Sequence, residues 1–311
     1  MHLRCPVPYA DRRAVCCALL ATLSSGTPAR VDSSPMRIIL GFAPGGASDM
    51  VARALASALE QPLDRRVLVE PRPGADGVIA AQAVAAAAPD GATLLLGSNT
   101  SLVAVPALRV PAPYDPFAAF MPIAGLGQFS MSLLVNASVP ARTVAELLSL
   151  IERRPGDINA AASNSTAELA VAQLVGWRRV LKVPYKGDAS ALVDLVAGRV
   201  HFMFATGAAS APFVAGGRLR RLGSTAPGGG LDVDVTPWMG LFGPAGLPRE
   251  RVVELSLGVQ AALRDAQLQQ RFAEHDFQAH ASSAAEFEAY FRLQYGRFVA
   301  AARRSGLKLE R

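Results

Sequence analysis

Short apolar segments alternate with helix-like segments from residue 36 onward, and this alternation limits the chain to a small set of folds. Met36–Phe42 has the length and composition of a buried strand, and Asp49–Glu60 places its apolar residues on one helical face. The same order continues in Val67–Glu70, a strand, Gly77–Ala88, a helix, and Thr93–Gly97, a strand. Strands joined by single helices pair in parallel, and the helices cover both faces of the sheet. The pattern predicts an α/β fold.

The alternation pauses and then resumes, which predicts a second α/β unit. Pro106–Pro122 is rich in Pro, Ala and Phe without a clear period, so we expect an irregular connection there. The predicted elements beyond it are, in order, Leu133–Val135, a helix from Thr143, Ile158–Ala162, Ala167–Gly176, Val180–Pro184, Ala189–Gly198, Val200–Ala205, Leu219–Ser224, Trp238–Pro244, Arg249–Asp265 and Ala266–Glu274. Two α/β units followed by a helical tail predict two lobes with a cleft between them, where ligands bind at strand-to-helix loops.

Two helix starts carry the residues of a capping box, in which a Ser or Thr side chain and a Glu three positions later satisfy each other's backbone N–H. Thr143 and Glu146 form one such pair, and Ser283 and Glu286 form the other. The second helix is predicted to end at Gly306. Its apolar side is formed by Phe287, Phe291, Tyr295 and Phe298.

Residues 1–29 have the layout of a secretory signal peptide. Arg4, Arg12 and Arg13 give a positive start, Ala14–Leu23 is apolar, and small residues lead to a predicted cleavage site after Ala29. The apolar stretch is shorter than the ~20 residues needed to span a bilayer, and no later run reaches that length. All three cysteines lie in this leader, which excludes disulfides and thiolate metal sites from the mature chain. We therefore expect an exported protein whose mature chain has no membrane-spanning segment.

The composition excludes two broad classes of protein. With 51% hydrophobic and 18% charged residues, the chain has enough apolar side chains for a core, so global disorder is excluded. The formal net charge of +6 could indicate nucleic-acid binding. However, the Lys and Arg residues are scattered and do not alternate with aromatic residues, which indicates a dispersed surface charge and no nucleic-acid partner.

The loop from Gly41 to Asp49 (GFAPGGASD) is the most informative motif. Its paired glycines let the backbone approach a ligand closely, and the helix behind it presents unpaired N–H groups at its positive end. Such a loop binds anions, and Ser48 could cap the helix or donate to the ligand. The same residues are also typical of a plain tight turn with a Ser or Asp cap. The loop matches neither a phosphate-binding loop with Gly-Lys-Ser/Thr nor a dinucleotide fingerprint.

A second polar segment, Ser163 to Thr166, ends a predicted strand and begins a predicted helix. Its two interpretations are a ligand contact on the second lobe and an ordinary Ser/Thr helix cap. Two anion-binding helix starts that face one cleft would hold a carboxylate better than either alone.

Enzyme chemistry finds little support in the sequence, so no catalytic residue, cofactor or metal site is predicted. None of the four histidines has metal-ligand spacing or a neighbouring nucleophile motif, and His201 is interpreted as structural. Asp188 and Asp194 are interpreted as solvated surface residues on one helix. Lys186 lies in a strand-to-helix loop and is the one candidate for a catalytic lysine. Trp238, like Phe42, could stack on a ligand, although core packing is the simpler interpretation.

Several motifs resemble, in register, those of the Bug/TctC extracytoplasmic solute receptors. The segment from Phe42 to Arg53 resembles the family's F-x-P-G-G-x-T/S-D…A-R opening, and EPRPGADG from Glu70 resembles E-N-R-P-G-A-G-G. APDGATLLLG from Ala88 is similar to A-x-P-D-G-Y-T-L-L-x-G. Further matches are YDP from Tyr114, VPYKG from Val183 and GLFGPAG from Gly240. The resemblance covers residues 36–311.

This resemblance implies a two-lobed periplasmic binding protein, type II-like, in which each lobe is a mostly parallel sheet flanked by helices. Residues 36–125 together with 236–311 would form the first lobe, and 126–235 the second. The protein would be a monomer that binds a small carboxylate and delivers it to a tripartite tricarboxylate transporter. The residues implied to bind the ligand are Phe42, Pro44, Gly45, Gly46, Ala47, Ser48, Asp49, Ser163, Asn164, Ser165, Thr166, Ala205 and Thr206.

Three departures from the family pattern concern the second lobe and the connection back to the first. The second-lobe loop lacks the usual glycines and has Glu168 where His is common, and the family's M-F-D motif is Met203-Phe-Ala205, without its carboxylate. The segment at Pro227–Thr236 is shorter than usual. We hypothesise a changed ligand preference or a weakened receptor. Loss of the aspartate would remove a like charge and favour a ligand with an additional negative group.

The ligand class and two other functions stay open on the sequence alone. A dicarboxylate, a tricarboxylate and a related organic acid such as an aromatic acid are all compatible with backbone-mediated binding. The main alternative function is a ligand-sensing receptor that partners a membrane signalling protein such as a sensor kinase. The other is a secreted hydrolase or lyase, which would require an active Lys186 or Asp49.

Overall fold

The computed structural model describes residues 34–177, 179–226 and 228–307, with Ala208 described by its backbone alone. The predicted signal peptide and its cysteines lie outside the described residues. Within these ranges, no helix is both long enough and apolar enough to cross a bilayer.

The described residues contain two β-sheets with helices between the strands. The strands are β1 (Met36–Leu40), β2 (Val67–Pro71), β3 (Thr93–Ser98), β4 (Phe120–Phe129), β5 (Met131–Asn136), β6 (Asn159–Ala162), β7 (Leu181–Pro184), β8 (Phe202–Thr206), β9 (Leu219–Ser224), β10 (Trp238–Pro244) and β11 (Phe277–Ala279). The α-helices are α1 (Ala47–Glu60), α2 (Val78–Ala85), α3 (Val105–Leu108), α4 (Pro116–Ala119), α5 (Val144–Arg153), α6 (Ser165–Leu174), α7 (Asp188–Val196), α8 (Gly207–Ala215), α9 (Arg249–Leu263), α10 (Ala266–Ala273) and α11 (Ala284–Ser305). A 3-10 turn at Ala75–Gly77 precedes α2, and a π-helical turn at Thr100–Ala104 precedes α3.

The α/β class and the two-sheet architecture are confirmed, but the sheets are mixed rather than mostly parallel. The first sheet has the order β11-β4-β10-β3-β1-β2 and the second has the order β7-β6-β8-β5-β9. β1 pairs in parallel with β2 and β3, and β6 pairs in parallel with β7 and β8. β10 is antiparallel to β3 and β4, and β5 is antiparallel to β8 and β9. The antiparallel pairs arise because β4 leaves the first sheet toward the second, whereas β10 returns in the opposite direction.

The expectation of an irregular connection at Pro106–Pro122 is confirmed for residues 109–115 and wrong for the remainder. This region contains most of α3, all of α4 and the first residues of β4. The Asp115 side chain begins α4 by accepting hydrogen bonds from the backbone N–H groups of Phe117 and Ala118. The sequence analysis did not recognise β4, because proline and glycine are unusual within strands. The pairing of β4 with β10 shifts register twice. The sequence analysis also missed α8, which contains Pro212 and has no clear apolar face.

The two predicted capping boxes have different outcomes. Ser283 forms the complete box with Glu286, and Gly306 ends α11 in the left-handed conformation, as predicted. Thr143 accepts from the Glu146 N–H at 3.1 Å, but the Glu146 carboxylate accepts from the N–H of Arg142 instead of that of Thr143. The first box is therefore only half formed.

Replacing Ser283 with Ala removes the side-chain acceptor that begins α11. We expect the free energy of unfolding to fall by about 1 kcal/mol, which is typical of a lost helix cap. The measurement is the urea midpoint at constant slope. Ser305→Ala, in the last turn of the same helix, is the control and should change stability by less than about 0.5 kcal/mol. Equal effects of the two variants would contradict the capping role.

The core includes an aromatic cluster where β10 packs against α11. Trp238 is 2% exposed, and its ring lies 5.6 Å from the rings of Phe287 and Phe291, measured between centroids. Phe242 lies beside the same two rings. Core packing, rather than ligand stacking, is therefore the role of Trp238. This cluster holds the beginning of β10, where the chain returns from the second sheet, against α11.

Candidate ligand-binding site

The loop between β1 and α1 presents an open helix start. Gly46 is the N-cap of α1 and no side chain caps this helix, so its first N–H groups have no side-chain acceptor. Pro44, Gly45 and Gly46 are exposed, and Gly45 has a φ of +82°, which turns the loop toward the helix axis. Ser48 is half-buried, and its hydroxyl makes no hydrogen bond to the other described residues. Uncapped N–H groups at the positive end of a helix form an anion site.

Asp49 shapes this loop from the inside. Its carboxylate is 3% exposed and accepts hydrogen bonds from Gly45 N at 3.0 Å and from Arg53 Nε at 2.9 Å. Burial raises the pKa of the Asp49 carboxyl, but the hydrogen bonds from Arg53 and Gly45 outweigh burial, and the pKa lies below its ordinary value. Asp49 is therefore an ionised group that holds the loop closed on α1. Asp49 therefore acts at the predicted site indirectly, by holding the loop backbone in position.

The remaining predicted residues of the first loop lie between the core and the surface. Phe42 and Ala47 are half-buried and pack against the apolar core under the first sheet. Gly41 is buried, and a Cβ at its position would lie 2.6 Å from Gly77 Cα. The loop after β1 and the turn before α2 therefore touch backbone to backbone.

The predicted second-lobe segment begins α6, but its cap is already filled. Asn164 is the N-cap, and its Oδ1 accepts from the N–H groups of Thr166 at 3.0 Å and Ala167 at 2.9 Å. Ser163, Ser165 and Thr166 are buried. The helix-cap interpretation is therefore confirmed for Asn164, and the ligand contact stays a prediction.

The hydroxyls of Ser165 and Thr166 bond to the turns that follow β2 and β3 of the first sheet. The Ser165 hydroxyl donates to Asp76 Oδ2 at 2.6 Å. Thr166 Oγ1 lies 2.8 Å from Thr100 Oγ1 and accepts from Asn99 Nδ2 at 3.3 Å. Asp76, Asn99 and Thr100 were missed by the sequence analysis. Asp76 did carry a signal, because it replaces a glycine of the motif and adopts a φ of +59°.

Asp188 corrects the sequence interpretation, which placed it on a solvated surface. Its Oδ2 accepts from the Thr206 N–H at 3.2 Å and from the Thr206 hydroxyl at 3.4 Å. Burial raises the pKa of the Asp188 carboxyl, and the hydrogen bonds from Ser163 and Thr206 oppose this only in part. Gly187, with a φ of +118°, turns the chain so that α7 begins under the end of β8. The other carboxyl oxygen of Asp188, Oδ1, is buried and has no partner among the described residues.

The other candidates do not converge on a reaction centre. Lys186 is exposed, whereas Ala205 is fully buried in the apolar cluster under the second sheet. His201 bonds Asn159 through its ring nitrogen, and burial lowers the pKa of this histidine. Asp194 pairs with Tyr185 and Arg199. Among the residues that the structure describes, no three His, Cys, Asp or Glu side chains come together as a metal site.

The two predicted halves of the site therefore differ in their free hydrogen-bonding capacity. The first-lobe loop has uncapped N–H groups and a free hydroxyl. In the second-lobe segment, the Ser165 hydroxyl is bonded to Asp76, the Thr166 hydroxyl to Thr100, and the first backbone N–H groups of α6 to Asn164. The start of α1 thus has the unpaired donors that an anion would need.

Comparison with known proteins identifies what this arrangement is similar to. The family model for the tripartite tricarboxylate transporter family receptor matches residues 51–302. The fold is similar to that of the periplasmic binding protein BugD, at 25% identity and a TM-score of 0.79, over 89% of this chain and 99% of that chain.

Two similar structures were solved with ligands. Rpa4515 of R. palustris, with adipate, has a TM-score of 0.81 and 27% identity over 88% of this chain and 98% of that chain. MatC of Rhodopseudomonas palustris, with bound malate, has a TM-score of 0.78 and 26% identity over 86% of this chain and 98% of that chain. The resemblance seen in the sequence motifs is thus confirmed over most of the chain. This protein belongs to the family of tripartite tricarboxylate transporter receptors, whose solved members here are periplasmic solute-binding proteins.

Proposed function

We propose that this protein binds a small organic acid in the periplasm, after export by its N-terminal leader, and delivers it to a tripartite tricarboxylate-type transporter. The observation that carries the proposal is the uncapped start of α1 behind the exposed Pro44–Gly46 loop. A carboxylate at this position satisfies free N–H groups and lies at the positive end of a helix of 14 residues. The adipate and malate bound by the structural neighbours indicate an acid of about that size.

The proposed binding surface lies between two lobes, 36–125 with 236–311 and 126–235. Sheet membership supports this division, except that β4 continues to Phe129 within the first sheet. The loops after β1 and β6 each follow the carboxyl end of a strand in a parallel pair, where ligands bind in α/β folds. A ligand that contacts both loops would stabilise the closed arrangement of the lobes.

A thermal-shift screen of the purified protein against organic acids tests the proposal. A ligand present at 100 times its Kd should raise the free energy of unfolding by ~2.7 kcal/mol, visible as a higher melting temperature. The panel contains mono-, di- and tricarboxylates with amino acids and sugars as comparisons. Stabilisation by one class of carboxylate alone supports the proposal. No shift with any acid, from protein with a cooperative unfolding transition, would overturn it.

A further inference from the structure

Most of the donors predicted for the second lobe are engaged within the protein. Thr206 donates both its N–H and its hydroxyl to Asp188, and the Thr166 hydroxyl bonds that of Thr100. Ser165 donates to Asp76, and Asn164 occupies the first N–H groups of α6. The donors that would hold a second carboxylate of a ligand are therefore held by carboxyl and amide groups of the chain itself.

Asp188 occupies this region in the way that a bound carboxylate would. One oxygen, Oδ2, accepts from a backbone N–H and a hydroxyl at the end of β8, both of them uncharged donors. The sequence expectation was that Ala205 leaves this region free of a carboxylate. The structure instead has Asp188 beside Thr206, one residue along the strand from Ala205.

We propose that the Asp188 carboxyl fills the second-lobe anion subsite, so that this receptor selects acids with one carboxylate and an uncharged or donor group at the other end. The inference rests on the proposed function, because it assumes that the first carboxylate binds at α1. A second ligand carboxylate would find the Thr206 donors already used by the Asp188 carboxyl. The buried Oδ1 of Asp188, which has no partner among the described residues, would instead accept a hydrogen bond from an amino or hydroxyl group.

Calorimetry with acids of matched length tests the selectivity. The titrants are straight-chain acids of four to eight carbons, the diacid of each length and the corresponding ω-amino acid; hexanoate, adipate and 6-aminohexanoate form the six-carbon set. The wild-type protein should bind the monoacid and the amino acid at least about tenfold more tightly than the diacid at the preferred length. Preference for the diacid at every length would overturn the inference while leaving the proposed function in place.

Asp188→Ser supplies a gain of binding as a second readout. This substitution frees both Thr206 donors, so the diacid should gain about tenfold in affinity relative to the monoacid. Asp194→Ser makes the same substitution on the same helix, but at a position paired with Arg199, and should leave the ratio unchanged. An equal ratio in the two variants would overturn the role of Asp188. The failure of every acid to bind the wild-type protein would instead overturn the proposed function.

Discussion

Gly46→Asp is expected to abolish binding of the acid while the protein stays folded. A side chain fits at Gly46, since the nearest atom to an added Cβ is the Ala43 carbonyl oxygen at 3.8 Å and φ is −83°. The new carboxylate would cap α1 and occupy the N–H groups that we assign to the ligand. Stability should rise by a few tenths of a kcal/mol, because Asp is a better N-cap than Gly. Isothermal calorimetry with a ligand from the thermal screen, together with urea unfolding, measures both effects.

Gly46→Ala separates charge from side-chain volume in this experiment. It adds a Cβ at the same position without a carboxylate, so affinity should stay within about threefold of the wild-type value, a change worth less than 1 kcal/mol. Unchanged affinity in Gly46→Asp would remove the loop from the binding mechanism. Equal loss in both variants would mean that the loop backbone, rather than the anion site, had been disturbed.

Gly41→Ala is expected to destabilise the protein by about 2–3 kcal/mol, the range of an overpacked buried position. An added Cβ would lie 2.6 Å from Gly77 Cα, and a backbone atom cannot move aside as the end of a flexible side chain can. The substitution should also separate the β1–α1 loop from the turn that carries Asp76, and thereby weaken ligand binding. Urea unfolding measures the first effect and calorimetry the second.

Gly46→Ala is again the matched control, because it lies in the same loop with open space around it. It should cost less than about 1 kcal/mol, the difference between Gly and Ala at an N-cap. If Gly41→Ala were as stable as this control, the close approach of the two loops would not be a constraint on the fold.

The sequence predicted the elements that depend on local patterns. The strand and helix at Met36–Phe42 and Asp49–Glu60 follow from apolar periodicity, and the start of α11 follows from Ser283 and Glu286. The pairing of β10 between β3 and β4 could not be predicted in this way, because it joins segments more than 100 residues apart. β4 itself was hidden by Pro122, Gly125 and Gly127, which a local pattern assigns to a connection.

The candidate site depends even more than the strand pairing on contacts between residues that are far apart in the sequence. The residue types at the β1–α1 loop fit both an anion site and a plain tight turn, and only the family resemblance favours the anion site. Whether a hydroxyl such as that of Ser163 is free depends on which side chain the fold brings beside it. Asp188 resembled a surface residue because the partner of its carboxyl, Thr206, lies on a strand 18 residues further along the chain. The preference for one carboxylate is therefore a property of tertiary structure rather than of a motif.

The aromatic cluster at β10 has a practical consequence for spectroscopy. The chain has two tryptophans, and their surroundings differ. Trp238 is enclosed by other rings and shielded from water, whereas Trp177 is half-buried with the Lys182 ammonium 5.8 Å from its ring centroid. Their emission therefore reports on two separate parts of the molecule, the packing of β10 on α11 and the end of α6. Intrinsic fluorescence can thus distinguish a loosened core from a local change in the second sheet without any attached dye.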